Sequence, residues 1–168
     1  YFSANLISSI LLASTIAFYF FVYTIWLKRK TPQNIVIGGA AGALPPIIGW
    51  TIATGNISLE PLILFLIIFL WTPSHFWALS LYKSGDYKKA KIPMLPIIFG
   101  VKTTKMNILV YALIMSPAVI APYFFNFASL FYLIVSSIMT VYYIYLCFKL
   151  FSSKICLLYT SPSPRDVC

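Results

Sequence analysis

Five long apolar runs dominate the chain, and polar residues gather in the segments between them. A hydrocarbon core about 30 Å thick needs roughly 20 apolar helical residues to cross it. The runs show no sustained alternation of apolar and polar positions, which argues against transmembrane strands. Because lipid offers no partner to an unpaired backbone group, we predict an all-α, polytopic transmembrane helical bundle. The predicted spans cover residues 6–27, 35–54, 59–82, 107–124 and 127–148.

Composition indicates the same class of protein. Of the 168 residues, 61% are hydrophobic and only 9% are charged, and the mean hydropathy is +0.91. A soluble domain carries about 25% charged residues, so this chain could not cover a water-facing surface. A soluble globular enzyme and a disordered chain are therefore excluded. The sequence begins with Tyr1 inside an apolar run, and we expect it to be a fragment of one transmembrane unit.

The basic residues are distributed unevenly between the two ends of the predicted bundle. Twelve Lys and Arg against three acids give a net charge of +9. If the spans alternate in direction, every Lys and Arg up to Lys154 falls on the side reached after the first span, here called side X. The opposite side, side Y, carries only Glu60. This asymmetry predicts that side X is cytoplasmic. It also explains the charge without nucleic acid, which we do not expect as a partner.

The second run differs from the others in having little side-chain bulk. Small residues occupy 38–43 and are followed by Pro45 and Pro46. The prolines should break or kink the helix. The small residues have two interpretations, which the sequence leaves open: they let neighbouring helices approach closely, or they make room for a ligand.

The most polar part of the chain is a predicted side-X loop over residues 83–106, and a loop of this length is more often functional than accidental. Asp86 lies there among Lys83, Lys88, Lys89 and Lys91. The carboxylate is either a surface charge partner that contributes little or a hard oxygen ligand for Mg²⁺, with the lysines holding a polyphosphate.

His75 is the only histidine, and it lies inside the third span towards side X. An ionisable residue within a span is a functional candidate. The alternative is a histidine hydrogen-bonded within the bundle beside Pro73. Most aromatic residues of this span should face lipid or the interface, while one or two could line a cavity and shield a carbocation. They are Phe65, Phe69, Trp71, Phe76, Trp77 and Tyr82.

Three ordered segments resemble the protohaem IX farnesyltransferases, a family of UbiA-type membrane prenyltransferases. Residues 31–46 read Thr-Pro-Gln-Asn-Ile-Val-Ile-Gly-Gly-Ala-Ala-Gly-Ala-Leu-Pro-Pro, and residues 71–79 read Trp-Thr-Pro-Ser-His-Phe-Trp-Ala-Leu. The third is Asp86-Tyr87, followed at 92–96 by Ile-Pro-Met-Leu-Pro. The resemblance implies a bundle of nine transmembrane helices around a lipid-accessible cavity. It also implies two Asp-rich motifs on cytoplasmic loops that hold Mg²⁺ and a prenyl diphosphate.

The activity implied by this resemblance is transfer of a farnesyl group from farnesyl diphosphate to a vinyl group of protohaem IX, giving haem O and diphosphate. Mg²⁺ is the expected cofactor, and haem B is a substrate. The resemblance implies that Asp86 is the catalytic residue and metal ligand. Expected partners are the two substrates, the lipid bilayer and a haem A synthase. The expected location is a bacterial cytoplasmic membrane, and the alternative is the mitochondrial inner membrane. The substrate-binding candidates are Lys28, Arg29, Asn34, His75, Lys83, Tyr87, Lys88 and Lys89.

The chain departs from the family pattern in several places. Gly85 stands where an acidic residue usually precedes the Asp-Tyr pair. The first Asp-rich motif and the final helix are expected to lie outside this chain, so the fragment alone should be inactive. Residues 156–161, Cys-Leu-Leu-Tyr-Thr-Ser, resemble a translated sequencing adaptor. We interpret 1–155 as a partial transmembrane domain and 156–168 as an artefact, the alternative being a natural Ser/Pro tail.

Two other functions compete with this interpretation. The first is another UbiA-type prenyltransferase with a quinone or chlorophyll acceptor, although the Trp-Thr-Pro-Ser-His-Phe-Trp segment favours haem. The second is a transporter, with Pro45 and Pro46 marking a broken helix near a midplane site. The location of the charges in side-X loops, away from the midplane, argues against transport.

Overall fold

The computed structural model of the chain describes residues 5–28, 30–89 and 92–153, apart from the side chain of Asp86. The predictions for Arg29 and for the adaptor-like tail lie outside the described residues. Within the described part the fold is all-α, as predicted. The elements are α1 (Leu6–Ala17), a π-helix (Phe18–Leu27), α2 (Asn34–Ala43), α3 (Pro45–Thr54), α4 (Leu59–Tyr82), α5 (Ser84–Lys89), α6 (Leu95–Ile98), α7 (Gly100–Phe124) and α8 (Leu130–Ser152).

Among the residues that the structure describes, five segments are long and apolar enough to cross a membrane, in agreement with the predicted number of spans. α1 and the π-helix together form the first span, and α2 and α3 form the second. α4, α7 and α8 form the third, fourth and fifth spans. The spans are Leu6–Leu27, Asn34–Thr54, Leu59–Tyr82, Gly100–Phe124 and Leu130–Ser152. The chain is therefore part of an integral membrane protein.

The spans pack against one another mainly in chain order. α4 lies at the centre, with the second span on one side and α7 on the other, and α8 packs against α7. The first span packs against α2 and α3. Long apolar faces of the first and fifth spans are exposed, as expected for surfaces that meet lipid or further helices. The buried core cluster consists of Ile35, Trp77, Leu81, Met94, Leu95, Ile108, Ala112 and Cys147.

The predicted break in the second span is confirmed. α2 ends at Ala43, Leu44 joins the two helices, and α3 begins with Pro45 and Pro46. Proline is tolerated in the first turn because its missing N–H would have no intrahelical partner there. The span therefore continues as two helical pieces.

The fourth span begins earlier than predicted, so the prediction of a loop reaching residue 106 is wrong. Residues 84–89 and 95–98 form the short helices α5 and α6, and α7 begins at Gly100. Two polar residues of its first turns, Thr104 and Lys105, are satisfied inside the protein. Thr104 Oγ1 donates to the Gly100 carbonyl at 2.9 Å. Lys105 is buried, and its Nζ donates to the Ser153 carbonyl at 2.7 Å and to Ser153 Oγ at 3.2 Å. Hydropathy alone excluded these residues from the span.

The fifth span is displaced along the chain relative to its prediction. It begins at Leu130 instead of 127 and ends at Ser152 instead of 148. Asn126 has a φ of 62°, in the left-handed region typical of a tight turn. The Ser129 hydroxyl then caps the helix by accepting a hydrogen bond from the Tyr132 N–H. Turn chemistry thus delays the start of the helix beyond the apolar residues that precede it.

Alternating span directions bring the two sets of loops to opposite ends. On side Y, Asn5 Nδ2 donates to the carbonyl of Thr51, which joins the start of α1 to the end of α3. On side X, the bond from Lys105 to Ser153 joins the start of α7 to the end of α8. The described basic residues all lie at the side-X end: Lys28, Lys30, Lys83, Lys88, Lys89, Lys102, Lys105 and Lys149.

Candidate functional site

A partly enclosed cavity of about 180 Å³ lies between the π-helix, α2 and α4. It occupies the half of the bundle nearer side X, because its α2 and π-helix residues lie close to the side-X ends of those helices. Its lining is largely apolar and aromatic. The lining residues are Tyr19, Tyr23, Ile35, Gly38, Gly39, Gly42, Thr72 and Phe76.

The glycines of α2 shape this cavity in different ways. A Cβ placed on Gly39 would lie 3.1 Å from Thr72 Cγ2, so this position lets α2 and α4 approach closely. A Cβ on Gly38 would lie 2.5 Å from the ring of Tyr23 and would displace it. A Cβ on Gly42 would meet nothing within 4 Å. The two interpretations left open by the sequence therefore apply to different residues: close packing at Gly38 and Gly39, and open space at Gly42.

Aromatic side chains form one wall of the cavity. The rings of Tyr19 and Tyr23 pair with their centroids 5.0 Å apart and an interplanar angle of 33°. Phe76 of α4 also lines the cavity, as predicted for one or two aromatic residues of this span. Trp77 instead belongs to the core and is 1% exposed. Aromatic ring faces stabilise a nearby cation, so the cavity suits a reaction in which positive charge develops on carbon.

His75 lies beside the cavity and outside its lining. Its ring is exposed and stacks on Trp71, with a centroid separation of 4.4 Å and an interplanar angle of 16°. The adjacent Ser74 points into the bundle, and its hydroxyl lies 2.8 Å from the Tyr143 hydroxyl. The polar link within the bundle is therefore made by Ser74, while His75 presents its imidazole at the exposed surface of α4.

Asn34 is almost completely buried at the side-X end of α2 and is 1% exposed. Its Nδ2 donates to the Lys28 carbonyl at 3.0 Å, which fixes the side chain. Its Oδ1 is buried and accepts no hydrogen bond from the described residues. Buried polar atoms normally have a partner in the protein or in ordered water, so Asn34 Oδ1 is an acceptor available to a water or a ligand.

The predicted lysine candidates lie at the side-X end of the bundle, here called the rim. Lys28 ends the first span, Lys83 follows α4, and Lys88 and Lys89 lie in α5, all with exposed side chains. Tyr87 is half-buried and packs against the core cluster.

Asp86 lies in α5 between residues of this rim, although its side chain is outside the described part of the chain. Among the described residues there is no group of three or more His, Cys, Asp and Glu side chains that could hold a metal ion. A magnesium site built wholly from these residues is therefore not formed, and a metal bound here would need ligands from elsewhere.

Tyr19, Tyr23 and Thr72 line the cavity but were not among the residues predicted from the sequence. The two tyrosines are four residues apart, so they share a helix face, which was an available signal. Thr72 carried no such signal, because its role depends on the close approach of α2 to α4 at Gly39.

The sequence model described as "UbiA prenyltransferase family" matches residues 2–155 of the chain. A relative from Pelagibacter ubique, named protoheme IX farnesyltransferase, is 68% identical over 90% of this chain and 50% of its own length. Proteins of the same name from Parvibaculum lavamentivorans and Ehrlichia ruminantium are 51% and 56% identical. These alignments cover 89% and 91% of this chain, and 47% and 52% of the two relatives. The chain thus spans about half the length of the curated relatives it matches. No solved structure matches it significantly.

Proposed function

This chain belongs to the UbiA prenyltransferase family, and we propose that the whole protein transfers a farnesyl group from farnesyl diphosphate to a vinyl group of protohaem IX. The products are haem O and diphosphate. The observation that carries this proposal is 68% identity, over 90% of the chain, to a protein named protoheme IX farnesyltransferase. The arrangement of the cavity and its basic rim supports a prenyl diphosphate as the donor.

The two halves of such a donor require opposite surroundings. A diphosphate needs positive charge and hydrogen-bond donors, which Lys28, Lys83, Lys88 and Lys89 supply at the side-X rim. An isoprenoid chain needs an apolar pocket, which the cavity below the rim provides. We therefore place the diphosphate of the donor at the rim and its isoprenoid chain in the cavity.

The reaction begins with cleavage of the allylic C–O bond, whose electron pair leaves with the diphosphate. The rim lysines stabilise the charge that develops on the leaving group. The carbocation develops at the diphosphate end of the donor, so the aromatic lining residues nearer the side-X end, Tyr23 and Phe76, are the ones placed to face it. The vinyl group of the porphyrin supplies the electrons for the new C–C bond. Water adds to the cation left on the vinyl carbon and loses a proton, which leaves a hydroxyl group on the product and balances the reaction.

Asp86 is the proposed metal ligand. Mg²⁺ commonly takes one or two carboxylates together with phosphate oxygens, so a single carboxylate at the rim suits a metal held jointly with the donor. When bound, Mg²⁺ would neutralise charge on the diphosphate. The remaining protein ligands would come from the part of the whole protein that this chain does not include.

The porphyrin is too large for the cavity and must lie beside it. A cavity of about 150 Å³ holds a molecule the size of benzene, and this one measures about 180 Å³. His75 and Trp71 present an exposed stacked pair next to Phe76. We propose that His75 contacts the haem, either at the iron, for which imidazole is a common ligand, or at a propionate. Asn34 Oδ1 is the acceptor proposed to bind substrate or its water at the rim.

Side X is proposed to face the cytoplasm, since the described basic residues lie at that end and cytoplasmic loops carry the excess of Lys and Arg. The relatives compared above come from bacteria, which favours the bacterial cytoplasmic membrane. A haem A synthase that consumes haem O is the proposed partner protein.

The acceptor is tested by offering the purified whole protein haem B and 4-hydroxybenzoate together with farnesyl diphosphate. Farnesylation of haem alone is the expected result. Farnesylation of the benzoate alone would assign the protein to another branch of the family. Flux of a labelled solute through proteoliposomes without any prenyl transfer would instead support a transporter.

A further inference from the structure

We propose, resting on the prenyl transfer proposed above, that the cavity holds the terminal isoprene unit of the donor and that Gly42 sets the length of the chain the protein accepts. The proposal makes Gly42 a specificity-determining residue. It follows from the size of the cavity, the distance of Gly42 from the basic rim along α2, and the different surroundings of the glycines that line the cavity.

The size of the cavity restricts its occupant. Its volume of about 180 Å³ is close to that of a cavity that holds benzene, about 150 Å³. One isoprene unit is comparable with benzene in size, whereas a porphyrin is far larger. The lining carries few polar groups, Tyr19, Tyr23 and Thr72 among them, so a hydrocarbon segment suits it better than a diphosphate. The occupant is therefore a short piece of the donor's chain.

Gly42 is the cavity-lining residue of α2 farthest from the side-X rim, and it is exposed in the partly open cavity. It is eight residues beyond Asn34, the first residue of α2 at the side-X rim, which corresponds to about 12 Å along the helix. Ile35 and Gly38 line the cavity nearer the rim. A donor whose diphosphate lies among the rim lysines therefore brings the far end of its chain towards Gly42.

The glycines differ in whether a larger side chain would meet protein or empty space. At Gly38 and Gly39 an added Cβ approaches Tyr23 and Thr72 within 3.1 Å or less. At Gly42 the added Cβ meets nothing within 4 Å. A larger side chain at this position would therefore occupy the space assigned to the isoprenoid. Gly49 of α3 also has nothing within 4 Å of an added Cβ but does not line the cavity, which makes it a matched control.

The experiment compares Gly42→Leu and Gly49→Leu in the whole protein, with farnesyl diphosphate and geranyl diphosphate as donors. Geranyl diphosphate has one isoprene unit fewer. Gly42→Leu should lower kcat/KM for farnesyl diphosphate at least about tenfold relative to geranyl diphosphate, since single methylene-sized differences in a pocket give factors of about 10 to 200. Gly49→Leu should leave the ratio of the two donors within about twofold of the wild type.

An unchanged donor ratio in Gly42→Leu would overturn the proposal. If Gly42→Leu is inactive with both donors, Gly42→Ala decides: a smaller shift of the ratio towards geranyl diphosphate supports the proposal, and an unchanged ratio overturns it. The proposed function fails in a different way, because the wild-type protein would then transfer no prenyl group to haem from either donor.

Discussion

At the scale of single residues, the proposed chemistry depends most on Asp86. Asp86 and Glu60 are the only acids before the tail, and they lie at opposite ends of the bundle. Asp86→Asn in the whole protein keeps the shape of the side chain but removes the charge that would bind a metal. We expect kcat with farnesyl diphosphate and haem B to fall at least about a hundredfold, the usual scale for losing one electrostatic contact to a developing charge.

The control for this prediction is Glu60→Gln, which removes a carboxylate on side Y. It should retain most of the wild-type kcat in the same assay. A near-normal rate for Asp86→Asn would show that Asp86 is a surface charge partner of the lysines, which is the alternative that the sequence left open.

Some residues of the site could be predicted from the sequence and others could not. His75, Asp86 and the lysines carry charge or ionisable groups in unusual places, and such residues stand out in an apolar chain. Tyr19 and Thr72 are not charged and do not differ in this way from the residues around them. They line the cavity because the first span and α4 both pack against α2, which is a property of the packing.

At the scale of the helices, a buried lysine links the fourth and fifth spans. Lys105 is 4% exposed, and its ammonium bonds to both the carbonyl and the hydroxyl of Ser153. Lys105→Met keeps much of the side-chain volume and leaves the end of α8 without these donors. Hydrogen bonds to charged groups contribute about 1.5–3 kcal/mol, so we expect the free energy of unfolding to fall by about 2 kcal/mol. Thermal unfolding in detergent measures this change.

Lys102→Met is the matched control, since Lys102 is an exposed lysine of the same helix. Its unfolding midpoint should stay close to that of the wild type. Equal midpoints for the two variants would show that the bonds to Ser153 add nothing to stability.

Helix boundaries were less predictable than helix existence, for a reason visible at residues 100–106. The prediction followed hydropathy and ended the loop where the apolar run began. Lys102, Thr103, Thr104 and Lys105 are polar but helical, because their side chains reach solvent, the helix backbone or Ser153. The break at Pro45 was predictable, because proline acts through its own covalent geometry and needs no distant partner.

At the scale of the whole molecule, the charge asymmetry makes a prediction about orientation. Lys30 lies on side X and Asn56 on side Y, both with exposed side chains. In a variant of the whole protein lacking other cysteines, Asn56→Cys should react in intact cells with a maleimide that cannot cross the membrane. Lys30→Cys should react only after the membrane is opened, because the basic side is proposed to face the cytoplasm. The reverse labelling pattern would place the rim and its lysines outside the cell.

The number of spans and their alternation could be predicted because lipid imposes length and apolarity on every crossing segment. Which spans pack against each other could be predicted only in part from the sequence. α4 lies between the second span and α7. This position depends on how the side chains fit together, for example on the close approach of Gly39 in α2 to Thr72 in α4.

Farnesyl transfer to haem is tested by incubating the whole protein, in lipid vesicles, with farnesyl diphosphate, haem B and Mg²⁺. The measurement is the mass of the porphyrin that is recovered. We expect a new haem that is heavier by a farnesyl group and a hydroxyl group, with release of diphosphate. The 168-residue chain alone should give no product, since it spans about half of its relatives. Recovery of unmodified haem from the whole protein, under conditions in which another acceptor is prenylated, would show that haem is not the acceptor.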